Sequence, residues 1–84
     1  MRIIYHRTFR KQYQKLQKKL RNKFDERLQI FIDDSHAIEL NNHELHGKFA
    51  GCRSINVTGD LRAIYEVREN RVRFLEIDTH SNLY

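Results

Sequence analysis

Eighty-four residues allow one hydrophobic core, so residues 1–84 are expected to form a single domain. A hydrophobic fraction of 39 % is compatible with a compact fold, and Cys52, the only cysteine, excludes a disulfide framework and fits a reducing, cytoplasmic setting. The opening MRIIYHRTFR is neither a signal peptide nor an anchor, and no stretch approaches the ~20 apolar residues of a membrane-spanning helix. The net charge of +5 is unevenly placed, with ten Lys/Arg against four Asp/Glu in residues 1–34. Such a basic half suits phosphates or an acidic protein partner, and a merely solvated helix face accounts for it equally well.

Arg2 to His6 (RIIYH) predicts a short strand, because β-branched and aromatic residues are broken by polar ones. Thr8 is the expected N-cap of a helix carrying Phe9, Tyr13, Leu16 and Leu20 at helical spacing. Leu20, Phe24, Leu28, Phe31 and Ile32 repeat that period. A junction at Lys18–Asn22 would therefore divide two packed helices, and Asp33–His36 should end the second. Residues 35–52 lack a clean period, with an additional short strand expected around Lys48–Ala50.

RSINVT, LRAIYEV and RVRFLEID then read as three strands, with turns at Gly59-Asp60 and Glu69-Asn70. The expected fold is α+β in the order β-α-α-β-β-β, with two N-terminal helices on one face of a small, mainly antiparallel sheet. Alternation assigns Ile55, Val57, Ala63, Tyr65, Val67, Leu75 and Ile77 to the core. It leaves Asn56, Arg62, Phe74, Glu76 and Asp78 outside.

Five histidines invite chemistry. The H-x-x-H pair His43 and His46 has metal-like spacing, but two ligands do not make a site, and no metal or other cofactor is expected. RNA carries its own nucleophile, the 2′-OH. Its cleavage needs a base, an acid for the 5′-oxygen and cations at the phosphorus. His43, His46, Arg53, Asp60, Arg62 and His80 cover those roles, and Tyr84 could stack on a base. Each also has a plain structural explanation. Loop histidines are commonly solvated, Asp60 suits a turn, Arg53 and Arg62 suit a strand surface, and Tyr84 could plug a core.

HELHGKFAGCRSINVTGDLRAIYEV followed by FLEIDTHSNLY resembles the C-terminal half of the RelE/ParE toxin superfamily, above all its YafQ-like and RelE/StbE-like branches. The shared run is H-x-L-x-G-x-x-x-G-x-R, then G-D-x-R-x-x-Y, then a closing H-S-x-L-[YF], over residues 43–84. The resemblance implies a RelE-like fold and a toxin of a type II toxin–antitoxin system. It further implies a metal-independent endoribonuclease that cuts mRNA on the ribosome, with a small acidic antitoxin encoded by an adjacent gene as partner. Two alternatives stay open: a ParE-like gyrase inhibitor that cuts no RNA, and an inactive antitoxin-binding member.

By the same resemblance His43, Asp60, Arg62 and His80 (the proton donor) are the catalytic residues. His46, Lys48, Arg53, Asn56 and Tyr84 are the expected RNA contacts. Three positions depart from the pattern. Asn56 replaces a second histidine, Leu61 a tryptophan, and Glu76 an arginine, so Arg62 or Arg53 would have to stabilise the phosphate charge.

Overall fold

The computed structural model describes residues 2–84. Strand β1 (Arg2–Tyr5) leads into helices α1 (Arg7–Lys15) and α2 (Lys18–Asp33). Strand β2 (His43–Glu44), β3 (Arg53–Asn56), β4 (Leu61–Arg68) and β5 (Arg71–Thr79) follow, and a terminal turn of helix, α3 (His80–Leu83), closes the chain. The sheet order is β1-β5-β4-β3-β2. Only β1 and β5 run parallel, because the α1–α2 excursion carries the chain across the sheet before the meander begins.

The expected α+β arrangement is present, with local corrections. Residue 8 does not cap α1; His6 does, its Nδ1 accepting the Thr8 amide at 3.0 Å. The helix junction falls at Leu16–Gln17, ahead of the expected Lys18–Asn22. There the Arg21 guanidinium donates to the Leu16 carbonyl, satisfying a group that the end of α1 leaves open. The additional strand is His43–Glu44, while Gly47–Phe49 forms a 3₁₀ turn where a strand was expected. The Glu69-Asn70 turn is as expected. Both residues have positive φ, 49° and 65°, giving the turn whose twist matches an antiparallel hairpin.

The main core lies between the helices and one face of the sheet. Phe9, Phe24 and Phe31 from the helices meet Ile55, Val57, Ala63, Tyr65, Val72, Phe74 and Ile77. Phe74 is the hub, fully buried, with its ring 5.5–6.0 Å from those of Tyr5, Phe9, Phe24, Phe31 and Tyr65. Alternation had placed Phe74 outside and Leu75 inside. A bulge reverses them: Ile64 pairs with Glu76 but Tyr65 pairs with Phe74, so Leu75 is the extra residue. One added residue shifts strand parity, turning Phe74 to the helices and Leu75 to the other face. Val67 is 59 % exposed, so it does not share the burial of Ala63 and Tyr65.

The face away from the helices, here the open face, is partly covered by its own chain. Leu45, Cys52, Ile64 and Leu83 form a second apolar cluster, flanked by Phe49 and Leu75. Leu83 is therefore the plug that draws α3 onto this face. Gln12 reaches from α1 to the margin of β5, where its Oε1 accepts the Ile77 amide at 2.8 Å. Its Nε2 donates to Glu76 at 3.4 Å. That side chain supplies the partner for Ile77 beyond the four residues of β1. No helix among the described residues is long and apolar enough to cross a membrane.

Candidate active site on the open face

Register places the candidate residues. His43, Ser54, Ile64 and Glu76 form one row across β2-β3-β4-β5, and Asn56, Arg62 and Asp78 form the next. Paired residues project to the same side, so both rows stand on the open face. Beyond Leu61–Thr79 the strand pairing continues for one more bond, from the His80 amide to the Asp60 carbonyl at 2.8 Å. Asp60, Arg62, Asn56, Asp78 and His80 thus gather at one end of the sheet. His43 stands two strands from Arg62 and one row away, about 12 Å between Cα atoms by strand geometry.

The His43 ring is oriented by its own loop. Nδ1 lies 2.8 Å from the Asn41 carbonyl, which can only accept, so Nδ1 carries a hydrogen and Nε2 is left without a protein partner among the described residues. Asn41 adopts a left-handed conformation, φ 46°, at the end of the 3₁₀ turn Ile38–Leu40. This conformation, tolerated by Asn better than by most residues, turns the carbonyl toward the imidazole. At the opposite end Thr58 organises the turn before β4. Its hydroxyl accepts from the amides of Asp60 and Leu61, leaving Asp60 exposed.

Arg62 is the unusual group. Its Nη1 is buried without a hydrogen-bond partner, as are Asn56 Oδ1 in the same row and Ser54 Oγ in the row of His43. Asp78, directly across from Arg62, turns elsewhere: its Oδ1 accepts from the Thr79 amide at 2.8 Å and from Asn82 Nδ2 at 3.1 Å. A buried guanidinium hydrogen without an acceptor is costly in the free protein.

The tail is held by α3. Thr79 Oγ1 accepts from the Asn82 amide, and Leu83 is buried beside Ile64. A line of contacts then runs along the rim. The His80 ring is 4.9 Å from Tyr84, Tyr84 is 6.0 Å from Phe49, and Lys48 Nζ lies 5.1 Å over Phe49. His80, Tyr84 and Lys48 are thereby brought together, while His46 is exposed at the start of the 3₁₀ turn with no capping bond. The sequence reading missed Phe49, whose signal was an aromatic residue set in a polar, glycine-flanked loop.

Arg53 stands apart from those rows. It pairs with Tyr65, on the helix side of the sheet, and not with the open-face rows. Its Nε donates to Asn42 Oδ1 at 2.8 Å. Asn42 Nδ2 in turn donates to the Ser35 carbonyl and the Tyr65 hydroxyl, at 2.7 and 2.6 Å. Arg53 braces the loop that carries His43. Glu76 remains on the open face, but its carboxylate is engaged by Gln12 at the margin of β5. No three His, Cys, Asp or Glu side chains converge as a metal site among the described residues. A groove of about 370 Å³ lies on the helix side between Tyr5, Phe9, Tyr13 and Phe24, and none of the candidate residues lines it.

This sheet, backed by two helices and closed by a C-terminal turn, is the fold of small bacterial toxins. YafQ from E. coli superposes with a TM-score of 0.83 at 25 % identity, over 100 % of this chain and 99 % of that one. YafQ in the E. coli DinJ–YafQ complex gives 0.81 at 26 % identity, with 100 % and 99 % covered. A YoeB/ParE toxin from Agrobacterium tumefaciens gives 0.80 at 19 % identity over 95 % and 99 % of the two chains, a likeness of fold alone. A direct sequence comparison finds no significant match among curated proteins. The sequence model described as "Bacterial toxin of type II toxin-antitoxin system, YafQ" matches residues 1–84. The chain belongs to that YafQ toxin family.

Proposed function

We propose that this toxin is a metal-independent endoribonuclease that cuts mRNA on the ribosome. The observation that carries the proposal is the gathering of Asn56, Arg62, Asp60 and His80 at one end of the open face, with Arg62 half-buried and in no ion pair among the described residues. A phosphodiester laid on this row is held by the accessible part of the Arg62 guanidinium, through short charge-assisted bonds. His43 Nε2 takes the proton of the 2′-OH, whose oxygen attacks the adjacent phosphorus. Arg62 stabilises the charge added in the transition state. His80 protonates the departing 5′-oxygen, leaving a 2′,3′-cyclic phosphate and a 5′-hydroxyl. Asp60 supplies a carboxylate acceptor at the same end of the sheet. Tyr84 and Phe49 offer faces for a base. Lys48 and His46 supply positive charge and hydrogen bonds to the strand.

The cellular partner we propose is a small acidic antitoxin encoded by a neighbouring gene. Support comes from E. coli YafQ, whose complex with DinJ shares this fold at 26 % identity. The test is induced expression with transcriptome-wide mapping of mRNA 5′ ends, for the wild type and Arg62→Ala. New 5′-hydroxyl ends that vanish in the variant support the proposal. Growth arrest with intact mRNA and inhibited supercoiling would transfer the toxin to the gyrase-inhibitor class. No arrest, with antitoxin still bound, would mark an inactive member.

A further inference from the structure

Three arginines cross the open face at the end of the sheet away from His80. Arg2 of β1 pairs with Arg71 of β5, and Arg71 pairs with Arg68 of β4. Neighbouring strands lie about 4.8 Å apart and paired residues share a face, so the three side chains stand side by side. All three are exposed. The ion pairs among the described residues are Lys23–Glu26 and Arg73–Glu66, so none of the three has a carboxylate partner. Like charges set directly opposite one another destabilise a sheet. Nothing in the packing calls for them, because the helices and both apolar clusters lie elsewhere.

We infer that the Arg2–Arg71–Arg68 row is a second phosphate-binding site, which holds the RNA strand beyond the cleavage point. The inference rests on the RNA reading of the Arg62 site and adds a contact outside it. RNA is favoured over an acidic protein because the row shares its face with Arg62 and reaches it along β4. Arg68 stands six residues along β4 from Arg62, roughly 20 Å, a span that several nucleotides of extended strand can bridge. Guanidinium forks match phosphate oxygens, and a row of them can follow a backbone without reading its sequence. The self-repulsion of the free row is relieved when phosphate binds.

Structure and binding therefore pull in opposite directions here, and the test uses that opposition. Affinity for a mixed-sequence 2′-O-methyl oligoribonucleotide, which lacks the attacking hydroxyl, is measured by fluorescence anisotropy over a range of KCl concentrations. Melting temperatures are measured on the same samples. In the double variant Arg68→Gln/Arg71→Gln the slope of log K against log salt should fall by about 1.4, at about 0.7 for each phosphate left without its arginine. Arg71→Glu, which sets a carboxylate between two arginines, should bind still more weakly yet melt above the wild type. An unchanged slope overturns the inference, as does a wild type with no salt-dependent binding. So does a loss confined to capture of the antitoxin, or weaker binding accompanied by a lowered melting temperature. If the double variant loses the predicted salt dependence while the wild type cuts no mRNA on ribosomes, the nuclease proposal fails and the arginine row stands.

Discussion

The backbone amide of His80 donates to the Asp60 carbonyl at 2.8 Å, so the tail is tied to the β4 turn without using the imidazole. The ring instead leans on Tyr84, 4.9 Å away, and is exposed. His80→Ala should therefore keep its melting temperature within about a degree or two. As the general acid, His80 should cost about 10²–10⁴ in single-turnover cleavage on programmed ribosomes when removed. Tyr84→Ala should weaken substrate binding by about 1–3 kcal/mol, the worth of one base stacked on an aromatic ring. Full cleavage by His80→Ala would remove it from the mechanism.

Leu83 separates holding the tail from doing chemistry with it. It is 2 % exposed, in a cluster with Leu45, Cys52 and Ile64. Leu83→Ala should cost about 2 kcal/mol, the lower end of the range for such truncations, because a terminal turn can fray instead of preserving a cavity. Cleavage should fall as well, through loss of His80 placement. Amide exchange of residues 80–84 reads the fraying directly, and protection equal to the wild type would contradict this role for Leu83.

Arg62→Ala should abolish growth arrest and mRNA cleavage. It should not lower the melting temperature, because the guanidinium hydrogen it removes is already buried without a partner. Arg62→Lys keeps the charge but not the fork, and should recover little activity. A large loss of stability in Arg62→Ala would make this residue structural.

The helix lysines face away from the candidate site. Lys11, Lys15, Lys18 and Lys19 are all exposed on α1 and α2. Replacing the four with Gln should weaken ribosome binding and flatten its salt dependence, leaving the rate of bound complexes unchanged. Unaltered binding at low salt would mark them as a solvated face.

Cys52 gives the fold a pH dependence. Burial first, then the Glu66 carboxylate, raises its thiol above the ordinary 9.0. A folded-state value above the unfolded one favours the protonated thiol. The stabilisation is thus complete below about pH 9 and is lost as pH rises through the folded value. Burial also raises Tyr5 and Tyr13, with the Asp25 charge adding to both, so they contribute with the same sign above about pH 10. Melting temperature should decline above about pH 9, and Cys52→Ala should remove the first part of that decline. An identical pH profile in the variant would exclude the thiol.

Much of this molecule is legible in residue order. Phe9, Tyr13, Phe24 and Phe31 sit at helical spacing, and the hairpin breaks at Gly59-Asp60 and Glu69-Asn70 fall where turn chemistry places them. Arg62 is assigned to the open face by simple alternation, because β4 is regular through that point. These are local properties, set by backbone preference and by a period of two or 3.6 residues.

What the tertiary structure alone decided are the relations that cross strands. The extra residue at Leu75 inverts the faces of β5, and nothing local distinguishes it from its neighbours, since a bulge is defined by its partner strand. Alternation already sets Arg53 on the face of Ile55 and Val57, but its partner Asn42 lies in a segment without a clean period and could not be read from the strand. The orientation of the His43 ring depends on the left-handed Asn41, and the plugging of the tail by Leu83 depends on its packing with Leu45, Cys52 and Ile64. Pairing energy belongs to two strands at once, so neither strand's sequence contains it.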